Sequence, residues 1–542
     1  MGFPLERFTE QEKAMLAPFF SNLDKGVFVL TNLPEVVKGA LFSRYSRSDK
    51  PLRRLLLDEF INDKASGFAD IASGSRGAGE SRIVATQKAE EFYDRVLVGY
   101  GDDSVAELGG CHIACEGVSN IAAKALEDSR LGISPLEKST RYVYFDKKAE
   151  GHYLYHLERN IMASRHADLY TQTCDSLFES YAKWIEPMKK YLVEKFPKGE
   201  ETERAYNSSI KAKACDILRG YLPAATLTNV GLFGNGRALE YTLVKMYSSE
   251  LGEIRALAGE MHAELSKVIP SFVKRARGEF GDPTIKFMAE TRTGMQKLAD
   301  SEFVPDALGN TQLVTMTSYD RDAEEKAIAA ALYPFTSLAM AQVRERVRKM
   351  GAQERSGVLA EYLSRRQNRR HKPGRGFEHT SYEFDVLMNF ASYRDLHRHR
   401  VMTQQRQDIT VRHGYDAPAE LAEIGADSDF AEKMGMAADA YSAIHEDMGK
   451  EAQYIVPFAY RVRYSCCLNL RELYHLVELR STIHGHPDYR RVVLKMLEEV
   501  KSVHPSLVEH MRFVDFREAG LERLQSEKMT DKKLAELKEK YG

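Results

Sequence analysis

The sequence predicts an α+β protein built from two tandem copies of one unit, and three observations carry that prediction. Val27-Phe-Val-Leu-Thr31 and the stretch from Glu35 to Arg44 match, in kind and order, Leu313-Val-Thr-Met-Thr317 and the stretch from Glu324 to Leu332. Each is a short β-rich run, a polar turn, then apolar residues at helical spacing. Leu222-Pro223 precedes Asn235-Gly-Arg237-Ala-Leu239 as Val456-Pro457 precedes Asn469-Leu-Arg471-Glu-Leu473, and twelve residues separate proline from asparagine both times. The charged, aromatic and mostly helical residues 150–210 have a shorter counterpart in the second half. A repeat this long is a duplicated domain rather than a solenoid. The copies span 25–270 and 313–515.

Residues 1–24 read as a helical leader, and Val27–Thr31 as a strand followed by a helix to Arg44. Tyr45 to Ser48 breaks that helix. Residues 72–80, rich in Gly and Ser, form a mobile loop; no Gly-Lys-Ser/Thr closes it into a phosphate loop. Residues 108–128 are small and apolar at helical spacing. Residues 271–312, with Gly278, Gly281 and Pro283, are the linker between copies. Phe384 to Tyr393 reads as one apolar helix. The tail 516–542 carries a charged helix from Ser526 to Tyr541 with no strong apolar face.

Composition fits a soluble globular enzyme: 542 residues, 43% hydrophobic and 29% charged. That length predicts about two to four domains and ample core. A formal net charge of −2 gives no global pull toward nucleic acid or an anionic membrane. No apolar signal core opens the chain and no membrane-length apolar run occurs, so the expected location is the cytoplasm. Six cysteines are too sparse for a disulfide framework. Cys111 with Cys115, and Cys466 with Cys467, lack a second pair at metal spacing, so they read as core residues and no metal site is expected.

The run Arg398-His399-Arg400 cannot serve one buried stripe, because successive helical residues are rotated by ~100°. It suits a polyanion gripped by guanidinium forks at the end of an apolar helix, although a solvated helix end would look the same. Followed by Thr403, it resembles the opening of the signature of flavin-dependent thymidylate synthases, Arg-His-Arg-x-x-Ser-x-Asn-Glu-x-Ser-x-Arg. The second half of that signature is missing there: Arg406, Asp408 and Thr410 stand for Glu, Ser and Arg. It reappears in the first copy, where Ser134-Pro-Leu-Glu137-Lys-Ser139-Thr-Arg141-Tyr142 fits Ser-x-x-Glu-x-Ser-x-Arg-Tyr, while Ser129-Arg130-Leu131 fills the Arg-His-Arg slot. One signature is thus split between two copies.

Other family positions divide the same way. Arg219 in Arg-Gly-Tyr-Leu222-Pro223 matches the family's substrate arginine, and Gln453 replaces it in copy two. Copy one keeps Ser104-Val-Ala-Glu107 but has Asp102 for the family's histidine. Copy two keeps Glu378-His379, Asn469, Arg471, His475 and Arg480, where copy one has Tyr241 and Met246 for the last two. The resemblance therefore implies that Glu137, Ser139, Arg141 and Arg219 hold the nucleotide. It gives the flavin to Arg398, His399, Arg400, Glu378, His379, Asn469, Arg471 and His475, and assigns the chemistry to Arg398, His399, Arg400, Ser139 and Arg480. Asp395 stands where the family has Gln, which leaves base recognition open.

The resemblance further implies two α+β units, each a small antiparallel sheet with long helices. It implies FAD as cofactor, methylenetetrahydrofolate and NADPH as co-substrates, and methylation of dUMP to dTMP. The assembly expected is a homodimer acting as a pseudo-tetramer of units. Alternatives are one-carbon transfer to another pyrimidine nucleotide, or a non-catalytic nucleotide- or RNA-binding relic. The basic run Ser364–Arg375 has six Arg or Lys in twelve residues. It reads as a solvated loop, as a strip for single-stranded nucleic acid, or as phosphate and carboxylate contacts for flavin or folate.

Overall fold

The computed structural model describes residues 6–62, 103–303, 309, 311–518 and 520–541. The Gly- and Ser-rich stretch 72–80 and Asp102 lie outside them. The chain forms two compact units: Met1–Val118 with Ala122–Glu137 and Thr228–Val304, and Ser119–Ile121 with Lys138–Leu227 and Pro305–Gly542. The division cuts across the repeat, because residues 138–227 of the first copy belong with the whole of the second.

Among the described residues the strands are β1 (Gly110–Ser119), β2 (Ile133–Glu137), β3 (Lys148–Ala149), β4 (His152–Tyr153), β5 (Leu227–Asn235), β6 (Val314–Tyr319), β7 (Ser381–Asn389), β8 (Thr403–Arg406) and β9 (Arg461–Asn469). The first unit has a three-stranded sheet in the order β1-β5-β2, and the second a four-stranded sheet in the order β6-β7-β9-β8 plus the hairpin β3-β4. All three pairs of the four-stranded sheet are antiparallel, and so is β2 on β5. Long helices accompany the sheets, including Ala167–Lys195, Glu203–Leu218 and Asp427–Met448 in the second unit. The fold is α+β with a small antiparallel sheet in each unit.

One junction recurs four times. β1, β5, β7 and β9 each run into an asparagine, Asn120, Asn235, Asn389 and Asn469, at which a helix begins. Three of these caps are explicit. Asn235, Asn389 and Asn469 accept, through Oδ1, the backbone N–H three residues on, from Ala238, Ser392 and Glu472. A short polar side chain that satisfies a free helix N–H lets the chain switch period within one residue. This junction is the physical content of the Asn-x-Arg-x-Leu repeat.

The junction also corrects the reading of two apolar stretches. Phe384 to Tyr393 is not one helix: Phe384–Asn389 is the end of β7, and the helix is Phe390–Leu396. In β7 Tyr382, Phe384, Val386 and Met388 are all buried, and a short apolar run does not by itself separate strand from helix. Residues 108–128 split likewise into β1 and the helix Asn120–Glu127. Val27–Thr31 makes only an isolated bridge, Phe20 with Leu30. Val27 and Val29 remain exposed there. Residues Gly278–Glu302, within the expected linker, are a 25-residue helix.

Each unit has its own polar or steric keystone. In the first, a Cβ at Gly39, Gly109 or Gly236 would collide with Phe272, so three glycines admit one buried ring. Nearby in sequence, fully buried Lys124 pairs with both Glu127 and Glu137, the latter at 3.0 Å. Removing one partner of a buried ion cluster strands the others. We expect Lys124→Met to lower stability by about 3–5 kcal/mol in denaturant titration, whereas Lys124→Met with Glu127→Gln and Glu137→Gln recovers most of the loss.

Candidate functional site

The site is built in the second unit, around the end of the helix Phe390–Leu396. Arg398-His399-Arg400 lies in the turn that follows, and its side chains diverge. Arg398 turns back to Asp395, Nη2 to Oδ1 at 2.8 Å. His399 is buried, with Nδ1 2.8 Å from Glu472 Oε1, while its Nε2 accepts from Arg480 Nε at 2.9 Å. Arg400 is exposed.

Arginines of the first copy meet this turn. Arg141 grips Asp216 with two nitrogens, Nε to Oδ1 at 2.8 Å and Nη2 to Oδ2 at 2.6 Å. Arg219, only 3% exposed, donates to Ser392 Oγ at 3.3 Å and lies 3.9 Å from both Asp216 and Asp395. Arg398 and Arg219 thus flank Asp395, and Arg141 joins the same centre through Asp216. A cavity of about 510 Å³ opens beside Arg219, lined among others by Lys213, Asp216, Asn389, Arg461, His486 and Arg491.

Burial would raise the Asp395 carboxyl, but the fields of Arg398, Arg219, Arg141 and Arg480 reverse it and hold it far below the usual carboxylate range. Burial likewise opposes ionisation of Asp216, which Arg141 more than offsets. His399 moves the other way: burial depresses it to about 4, against the hydrogen bond to Glu472. His486 is also pushed down to about 4, by burial and then by Arg219. His399 is therefore neutral near pH 7. Arg480 can only donate, so Nε2 is the acceptor and Nδ1 carries the hydrogen bonded to Glu472.

Ligand-type atoms of His399, Glu472 and His475 lie within 4.8 Å of one another. The geometry is a hydrogen-bonded relay, Arg480 to His399 to Glu472, with His475 Nδ1 3.3 Å from the second Glu472 oxygen.

The other expected site residues are dispersed. Ser139 Oγ accepts from the Arg141 N–H at 3.2 Å, so the turn shapes itself. Glu137 belongs to the first unit and is held by Lys124. Asn469 caps its helix. Arg471 pairs with Glu378 at 3.0 Å, and Arg237 pairs with Glu107 at 2.9 Å in the first unit. Both glutamates stand three residues ahead of a strand, β7 and β1. His379 is exposed. Sequence reading missed Asp216 and Glu472. Asp216 stands one turn before Arg219 on the same helical path. Glu472 occupies the third helical position after a capping asparagine, where a glutamate reads as part of a capping box; Ala238 at that place in copy one was the available signal.

A family model described as thymidylate synthase complementing protein matches residues 62–271 and again 313–506. The chain belongs to that family. It is 41% identical over 525 residues to a UPF0159 protein of Chlamydia pneumoniae, covering 96% of this chain and 98% of the relative. It is 27% identical over 146 residues to a flavin-dependent thymidylate synthase of Sulfolobus acidocaldarius, covering 24% of this chain and 54% of that one. Among solved structures it is similar to a UMP/dUMP methylase from Streptomyces cacaoi bound with 5-Br dUMP, at 17% identity and a TM-score of 0.29, over 36% of this chain and 93% of that one. Among the described residues no helix is long and apolar enough to cross a membrane.

The depressed histidines make stability pH-dependent. Between about pH 6.5 and 4 the unfolded chain binds protons that folded His399 and His486 refuse, so stability rises with pH across that window and is lost as pH falls through it. We expect His399→Asn to flatten the decline, measured as chemical-denaturation free energy at pH 7 and pH 4. An unchanged slope overturns the assignment.

Proposed function

We propose that this chain is a flavin-dependent nucleotide methylase that moves a one-carbon unit from methylenetetrahydrofolate to a dUMP-like nucleotide, giving a dTMP-like product, with reducing equivalents from NADPH. One observation carries the reading. Buried Arg141 and Arg219 of the first copy and half-buried Arg398 and Arg480 of the second all act on buried Asp395. A buried concentration of guanidiniums is costly unless anions neutralise it, and a phosphate monoester matches the arginine fork. In this reading the copies 25–270 and 313–515 each supply what the other has lost, and the assembly is a homodimer.

The donor set fits a flavin dinucleotide as well. Buried His399 is flanked by exposed Arg400 and half-buried Arg471 and His475, donors within reach of solvent, two of them guanidiniums, that would hold a pyrophosphate. When bound, flavin supplies the redox and carbon-transfer chemistry that these side chains lack. The chain's own groups do the rest. Arg141 and Arg219 hold the phosphate. Asp216 and Asp395 keep their guanidiniums aimed before it arrives. His399, kept neutral by burial, presents a fixed tautomer between Arg480 and Glu472. No cysteine is needed as nucleophile: burial pushes the Cys115, Cys215 and Cys466 thiols up, away from thiolate.

Rescue of a thymidine-requiring strain tests the activity directly. Arg141→Ala and Arg219→Ala are each expected to weaken dUMP binding by about 1.5–3 kcal/mol in calorimetry, the worth of a hydrogen bond to a charged group. Unchanged affinity in both rejects the phosphate assignment. The pair Arg398→Ala and Arg400→Ala is expected to remove the flavin absorbance of the purified protein. Full yellow colour in that variant moves the flavin elsewhere.

A further inference from the structure

The basic run has two faces. Arg366 is not a surface cation: it is 7% exposed and grips buried Glu478, Nη1 to Oε1 at 3.0 Å. Its Nε donates to the His371 carbonyl at 2.5 Å, and Arg512 donates to the carbonyls of Ser364 and Arg366 at 2.9 and 2.6 Å. Within the loop, Asn368 accepts from the backbone N–H groups of Arg370 and His371. The backbone is therefore pinned from below and within. Arg369, Arg370 and Lys372 stand out of this frame, all exposed. Among the described residues none of the three forms an ion pair, although Arg365, Arg366 and Arg375 around them all do. A rigid loop that presents three cations without acidic partners has already met the ordering cost of gripping an extended anion.

The same loop is tied to the site. Arg471 Nε donates to the Pro373 carbonyl at 2.8 Å, and Glu378 is shared by Arg471 at 3.0 Å and Arg375 at 3.1 Å. The next residue after Arg471 is Glu472, which is bonded to His399. Basic groups thus run from the exposed loop, through Arg375 and Arg471, to the buried relay. No aromatic residue lies between Ser364 and Arg375, so there is no platform for stacking the bases of a single strand.

We infer that the loop Asn368–Arg375 is the docking strip for the poly-carboxylate tail of the folate co-substrate, whose ring end lies toward His399; this rests on the function proposed above. Exposed ion pairs are individually weak. Three together give a tail preference on the order of tenfold, screened by salt.

The test compares mono-γ-glutamyl with poly-γ-glutamyl tetrahydrofolate by calorimetry, on the flavin-loaded full chain and on its Arg369→Ala/Arg370→Ala/Lys372→Ala variant. All three positions are exposed, so the fold is kept. The expected result is tighter binding of the poly-γ-glutamyl form to the unaltered chain, an advantage that shrinks with added salt and vanishes in the variant, while mono-γ-glutamyl affinity is the same in both. If the mono form binds and the tail adds nothing, or the tail advantage survives in the variant, the inference falls alone. If neither form binds, the proposed function falls with it. If a single-stranded oligonucleotide binds instead and the variant releases it, the loop serves nucleic acid and the inference is overturned.

Discussion

The second unit depends on how a few buried carboxylates divide a larger number of guanidiniums. Asp216 takes two nitrogens of Arg141, Asp395 takes one of Arg398, and Arg219 stands 3.9 Å from each. None of these groups is tolerable alone at such burial. Together they hold the helix that ends at Arg219 against the turn that carries Arg398, and so bring residues of two sequence copies into one centre.

The repeat explains why this is possible. Duplication supplies two of each junction in which a strand passes through asparagine into a helix, and those junctions are kept: Asn235 and Asn469 each bond the third helical N–H, and Arg237 and Arg471 each pair with a glutamate ahead of a strand. Such contacts hold the local fold. Residues that differ between the copies have contacts of their own: Gln453 accepts from the Ile409 N–H at 2.9 Å, and Met246 is buried. Tyr241 for His475, Met246 for Arg480 and Gln453 for Arg219 change the side-chain chemistry while the junctions stay intact. Glu137, for its part, is locked to Lys124 inside the first unit.

The proposed tail strip follows the same economy of charge. Arg366 and Arg375 look identical to Arg369 and Arg370 in sequence, yet the first two are spent on Glu478 and Glu378. What distinguishes a structural cation from an available one is whether a carboxylate from a distant segment reaches it, and composition cannot register that.

The sequence by itself determined the family, the duplication, the α+β class and the chemical character of the site, because these rest on residue type and on spacing. Pro-to-Asn spacing and the split signature survive any folding. The helices from Glu35 and from Glu324, the latter beginning one residue earlier at Ala323, were legible for a related reason: apolar spacing and turn residues are local. Only the tertiary structure decided that Phe384–Asn389 is strand, because the choice was made by pairing with β9 and not by the run itself. It also decided that Val27–Thr31 is no strand, because among the described residues it makes only the isolated bridge of Leu30 with Phe20. Above all it decided the partners: Asp216 for Arg141, Glu472 for His399, Lys124 for Glu137. A charge announces itself in sequence, but its counter-charge lies many residues away, and which carboxylate reaches which cation is settled only when the chain closes.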